Sequence, residues 1–261
     1  EWMRVCFVPG VINTVNLSIL GETIDYGPYG WLEDFDPDWT PNTTDAGQRR
    51  YRYGQQPAIA QWNLLQLANA LYPLIEETKP LENILGSFST YYETQWQRMM
   101  ANKLGLPDFD ADLTNRLLKL LTEAETDMTL FFRHLADVKN ADTDSAYLQN
   151  AYYAPQTVNA DLQAQTQQWL GDYLGSAEQQ AQSHDRRAVL MNRTNPLYVP
   201  RNYLAQLAID DADQGDFNRL HTWMSVLEQP YTWQEGMDEY AEKRPEWARN
   251  RSGCSMLSCS S

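Results

Sequence analysis

After Pro57, residues Ala60, Leu64, Leu67, Leu71 and Leu74 recur at i, i+4, i+7, i+11 and i+14. That spacing lines one face of an α-helix, and proline suits its first turn because no N–H is needed there. Leu113, Leu117, Leu120, Ala124, Met128 and Phe131 keep the same rhythm, with Thr126-Asp127 as a candidate break. A third helix is expected from Val158 to Gly175, and Ser176 to Gln179 resembles a capping box opening another. Asn195-Pro196 is expected to cap a helix running through Ala212, and Asp216 to start the next after Gly215. No strands alternate with these helices in βαβ order, so a doubly wound sheet is excluded and the chain reads as mainly α.

Residues 1 to about 56 have a different texture, rich in Gly, Pro, Asp and Tyr. Leu17, Ile19 and Leu20 lead through Gly21-Glu22 to Thr23 and Ile24, which predicts a small hairpin from Asn16 to Asp25 with a Gly-X turn of type II′. The stretch from Glu33 to Gly54 offers turn chemistry without periodicity, and a loop of that length is usually functional or mobile.

The 261 residues carry 20 Lys and Arg against 35 Asp and Glu, a formal net charge of −15 at pH 7. With no cluster of basic residues, phosphate backbones and anionic membrane surfaces are poor partners, so neither nucleic acid nor membrane is expected. A hydrophobic fraction of 43% supplies a sizeable core, and no stretch approaches the length of a membrane span. Cys6, Cys254 and Cys259 are too few and too scattered for a disulfide framework. A reducing, cytoplasmic setting is expected for a bacterial-type chain, and a mitochondrial one if the source is eukaryotic. His134, His184 and His221 have no ligand spacing for zinc. The opening residues, without an initiator Met or a signal layout, read as a piece of something longer. Arg201 is expected either to reach the loop around Asp25 or to pair with Asp210 or Asp211 on its own helix.

The chemistry concentrates between Gly10 and Gly27. A hairpin with Asn16 at its opening and Asp25-Tyr26-Gly27 at its end can aim an amide oxygen and a carboxylate at one point. Such hard ligands suit Mg²⁺ held jointly with nucleotide phosphates, as in a kinase-like catalytic loop followed by Asp-Phe-Gly. On spacing alone a plain hairpin, with Asn16 capping a turn and Asp25 in an Asx-turn, accounts for the same residues.

The run Asn13-Thr14-X-Asn16-X-Ser18-Ile19-Leu20-Gly21-X-Thr23-Ile24-Asp25-Tyr26-Gly27-Pro28-X-Gly30 resembles the signature of the selenoprotein O (SelO) family. Gln56-Pro57 followed by Trp62-Asn63-Leu64 agrees with it. So do Asn195-Pro196 with Arg201-Asn202-X-Leu204-Ala205-Gln206, and Pro245-Glu246-Trp247 with the terminal Cys259-Ser260-Ser261. The resemblance implies an ATP-dependent protein adenylyltransferase that transfers AMP to Ser, Thr or Tyr hydroxyls of protein substrates. The implied fold is a protein-kinase-like one, of which this chain would be the large lobe (1–125) and a helical extension (126–261). It further implies Asn16 and Asp25 as ligands of Mg²⁺ or Mn²⁺, with Asp25 also near the nucleotide phosphates.

Four departures accompany the resemblance. Val15 stands where the family has an Asp proposed as base, so no catalytic residue is assigned, and Pro9 stands where His is usual. The Gly-rich loop and phosphate-pairing Lys of a small lobe have no counterpart in the 261 residues, so the chain alone is expected to hold Mg²⁺–ATP weakly and to be inactive. Cys259 matches a family position of Cys or selenocysteine, but the loop place that can carry a partner Cys aligns with Pro41, which weakens any tether between tail and loop. The alternative to an enzyme is a catalytically dead kinase-like scaffold or interaction module.

Overall fold

The computed structural model describes residues 1–254 and 257–258. Helices dominate: α1 Trp2–Val5, α2 Gln56–Ile75, α3 Thr78–Leu104, α4 Ala111–Glu123, α5 Met128–Asp137, α6 Ala141–Leu148, α7 Ala160–Gln179, α8 His184–Thr194, α9 Asn202–Ala212 and α10 Asn218–Leu227. The sheet is a two-stranded antiparallel ribbon, β1 Phe7–Val8 against β2 Gly30–Trp31, with Phe7 opposite Trp31.

The second predicted rhythm builds the core. Asp110 caps α4 by accepting from the Leu113 N–H, and Asp127 caps α5 by accepting from the Leu130 N–H. Between them the chain turns through Glu125 at φ 43°, which is the break expected at Thr126-Asp127. Leu113, Leu117, Leu121, Phe132 and Leu135 are buried with Trp169, Tyr173 and Met191 in one cluster that runs from Cys6 to Met191. The Trp169 indole and Tyr173 hydroxyl reach into that cluster only because each finds a carbonyl, Leu113 O at 2.9 Å and Leu104 O at 2.8 Å. A second cluster gathers Tyr203, Trp223, Val226, Tyr240 and Cys254 around α9 and α10.

Several expectations are corrected. The hairpin from Asn16 to Asp25 reduces to one antiparallel bridge, Leu17 with Thr23. Its turn closes from Ser18 to Gly21, so Gly21 ends the turn at φ 78° and the Gly21-Glu22 pair does not form the type II′ centre. Thr14–Asn16 forms a 3₁₀ turn instead of strand. Ser176–Gln179 is the last turn of α7, and the next helix is opened by Ser183, whose hydroxyl accepts from the Arg186 N–H. Helix α9 begins at Asn202, not after Pro196: Asn195 is buried, and its side chain bonds Lys103 and Met191. The periodicity did not announce α3 at all, since Thr78–Leu104 mixes polar and apolar residues around the helix.

Two findings concern surfaces. The periodic face of α2 is outside: Leu64, Leu67 and Leu71 are each about two-fifths exposed and Leu74 is 81% exposed, while Gln56, Ile59, Asn63 and Ala68 are the buried residues. The stretch from Glu33 to Gly54 is held down, with Glu33, Phe35, Asn42, Asp45 and Tyr53 buried.

Candidate functional site

Two turns of backbone bring the candidate residues together. Gly10 sits at φ 75°, and a Cβ there would lie 2.1 Å from the Pro28 carbonyl oxygen. Only glycine lets the chain entering the loop cross so closely over the chain leaving it. The 3₁₀ turn then presents Asn16, and the bridge from Leu17 to Thr23 returns the chain to Asp25. The Asn16 amide donates to Asp25 Oδ2, in a short contact. Asp25 Oδ1 accepts from the Gly27 N–H at 2.8 Å, so the Asx-turn is present as well. Asn16 Oδ1 is buried and has no hydrogen-bond partner among the described residues. Val15 is 82% exposed beside them and Pro9 is buried beneath.

Buried polar side chains from distant elements fix this loop. On α2, Gln56 donates to Phe7 O at 3.2 Å and Asn63 to Ile12 O at 2.8 Å. Asn42 donates to Gly10 O at 3.1 Å, and the Trp2 indole donates to the Thr23 hydroxyl at 2.8 Å. At the start of α9, Asn202 donates to Tyr29 O at 2.9 Å. The ring of Tyr26 packs on Phe7 and Tyr29, with centroids 5.8 and 5.6 Å away. The four amides satisfy loop carbonyls that burial would otherwise leave unpaired.

Arg201 reaches neither Asp210 nor Asp211, which pair with Arg251 and Arg219. It lies fully buried at the start of α9, 2.5 Å from Glu33 and 2.8 Å from Asp127. The Tyr153 hydroxyl stands 2.9 Å from Glu33 and 3.0 Å from Asp127. Burial works against the Arg201 charge, but Asp127 and Glu33 outweigh it and hold the guanidinium protonated. Burial pushes the Glu33 carboxyl above its usual range, with Arg201 opposing. Arg201 thus joins the chain just past β2 to the cap of α5.

The remaining reactive groups are inert by environment. Cys6 is buried against Met128, and burial pushes its thiol up to about 11, far from a nucleophile's range. No group of three or more His, Cys, Asp or Glu among the described residues is arranged to hold a metal. A hollow of about 550 Å³ lined by His134, Tyr153, Lys243 and Arg244 contains none of the loop residues. Near the end of the chain, Leu257 pairs with Asn42, and its N–H donates to Pro41 O at 2.9 Å. Leu257 thus lies against the loop at the Pro41 position, and Cys259 lies outside the described residues.

From sequence, Asn16 and Asp25 were open to a shared ion or to a plain turn; the structure brings the two side chains together through the amide nitrogen of Asn16, not its oxygen. It missed the roles of Gln56, Asn63, Arg201, Asn202, Glu33 and Asp127. Polarity did not single out Gln56 and Asn63, because Gln61, Gln66 and Asn69 are polar positions on the same helix.

The model of the family described as protein adenylyltransferase SelO matches residues 1–228. A protein nucleotidyltransferase YdiU from Rhodopirellula baltica is 51% identical over the whole of this chain and 52% of its own length. Relatives of the same name from Aromatoleum aromaticum and Flavobacterium johnsoniae are 50% and 47% identical, again over the whole chain and about half of theirs. The chain therefore spans about half the length of the curated relatives it matches.

Proposed function

The chain belongs to the protein adenylyltransferase SelO family, and from that premise we propose that it is the metal-binding portion of an ATP-dependent enzyme that transfers AMP to Ser, Thr or Tyr hydroxyls of proteins. In this reading residues 1–125 act as the large lobe of a protein-kinase-like fold and 126–261 as its helical extension. That division is one of role, because the main buried cluster continues across residue 125. Asn16 and Asp25 are the ligands of Mg²⁺ or Mn²⁺, and Asp25 lies near the phosphates of ATP.

One observation carries the reading: the amide and carboxylate meet, and Asn16 Oδ1 is buried without a partner among the described residues. An amide oxygen and a carboxylate are hard donors of the kind such an ion takes. When bound, the ion would neutralise charge developing on the phosphates. The chain's own part is to orient: Asn63, Asn42 and Gly10 fix the loop's entry, and Asn202 fixes its exit. No proton acceptor stands at position 15, so general-base assistance of about 10²–10⁴ in rate is missing there.

That exposed isopropyl group favours the second reading, a kinase-like scaffold without chemistry. A chimera in which this chain replaces the matched half of the Aromatoleum aromaticum relative separates the two. With labelled ATP, Val15→Asp is expected to raise AMP incorporation into protein well above the unaltered chimera, and Asp25→Ala to remove it. Equal, zero transfer with and without Val15→Asp would favour the scaffold.

A further inference from the structure

The hollow of about 550 Å³ beside Tyr153 is walled largely by one stretch near the end of the chain, Asp238 with Ala241 to Glu246, and by Leu130 and His134 of α5. That volume lies within the about 300–1,000 Å³ of small-molecule pockets. Its inner side is cationic. Arg244 is 8% exposed, with its guanidinium carbon 4.9 Å from the centre of the Tyr153 ring. The Nε and Nη2 atoms are buried and have no hydrogen-bond partner among the described residues. Asp34 Oδ1 stands 3.7 Å from Nη2, close enough to offset charge and too far to hydrogen-bond. A guanidinium grips a carboxylate with two parallel N–H donors, and this one lacks such a partner. Lys243 adds a second positive charge. Its Nζ donates to Asn150 O at 3.1 Å and Tyr152 O at 2.5 Å, which leaves one of its three N–H groups for a ligand. His134 Nδ1 is likewise buried without a partner among the described residues.

The outer side carries the opposite sign. Asp238, Glu242 and Glu246 line the same hollow and are exposed to water. A nucleotide would have to bring several negative charges past three carboxylates, whereas a single carboxylate brings one. An ammonium at the far end of the ligand turns that obstacle into attraction. Leu130, Ala241 and Pro245 supply apolar contact for the methylenes between the two ends. We propose that the hollow is a binding site for a small zwitterion of the amino-acid class, its carboxylate at Arg244 and Lys243 and its ammonium among Asp238, Glu242 and Glu246. The site shares no residue with the loop of Asn16 and Asp25, so its occupancy does not depend on the metal reading.

Titration calorimetry on the 261-residue chain at neutral pH tests the assignment with 4-aminobutyrate, 6-aminohexanoate, butyrate, butylamine and inorganic phosphate. At least one of the two amino acids is expected to bind saturably, and butyrate, butylamine and phosphate each several-fold more weakly. Butyrate binding as tightly would overturn the role of the outer carboxylates, and butylamine binding as tightly would overturn the role of Arg244. Tighter binding of phosphate would replace the zwitterion with a phosphate ligand, and no saturable binding by any of the five would sink the site. Arg244→Gln is expected to abolish binding. Because that side chain is buried and its loss can unfold the chain, Asp238→Asn with Glu242→Gln, both at exposed positions, reads the other end. In that double variant the amino acid should bind no better than butyrate, and a preference left at its original size would overturn the proposal.

Discussion

Lys103 shows how burial changes a single residue. Its ammonium is enclosed, donates to Arg4 O at 2.9 Å and Asn195 Oδ1 at 2.8 Å, and lies 4.2 Å from the centre of the Phe132 ring. Burial pulls its pKa down from 10.5 to about 8. The folded protein therefore releases this proton near pH 8 and the unfolded chain near 10.5. Between those values unfolding takes up a proton, so raising the pH favours the folded state; below pH 8 both states are charged and the cost of burial is constant. Compared with Lys103→Met, the wild-type chain is expected to gain up to about 3 kcal/mol of relative stability between pH 8 and 10.5. Urea unfolding of both proteins across that range checks it, and a flat difference would show that Lys103 stays charged in the fold.

At the scale of elements, two caps that look alike in sequence do different work. Asp110 caps α4 and makes no ion pair among the described residues, whereas Asp127 caps α5 and also receives the buried Arg201. Asp110→Ala should cost about 1 kcal/mol, the ordinary value of an N-cap. Asp127→Ala also leaves a buried guanidinium short of one carboxylate, so a loss of about 3–5 kcal/mol is expected from chemical denaturation. Equal losses at the two sites would mean that Glu33 alone suffices for Arg201. The contrast explains why the motif around Arg201 could be quoted from sequence without its role being read. An arginine at the start of a helix looks exposed until the fold supplies Glu33 and Asp127, 168 and 74 positions away.

Across the whole molecule, stability should follow enclosure. The amides of α4, α5 and α7, around Leu117, Leu135 and Leu170, lie in the buried cluster, whereas the paired helices α2 and α3 have most of their side chains from Leu64 to Tyr91 in water. Hydrogen exchange of the isolated chain is expected to be slowest in those three helices and fastest at the tip of the α2–α3 pair, residues 71–84. Protection at the tip matching that of α4 would mean the pair is already covered. The same contrast governs how much was legible beforehand. The Leu113 to Phe131 rhythm predicted helix with a break at Thr126-Asp127, and the structure buries that face because its partners are in the same chain. The α2 rhythm predicted the helix but not its surroundings, because periodicity records which face is apolar and says nothing of what lies against it.

The sequence by itself determined the helical class, the break before Asp127 and the nearness of Asn16 to Asp25, since each depends on residues within a few turns of one another. The tertiary structure alone decided that Arg201 is buried between two carboxylates, that Asn195 joins helices instead of opening one, and that the α2 leucines face outward. Those outcomes depend on contacts between residues far apart in the chain, where burial sets the cost of an unpaired charge or carbonyl and local pattern carries no record of the partner.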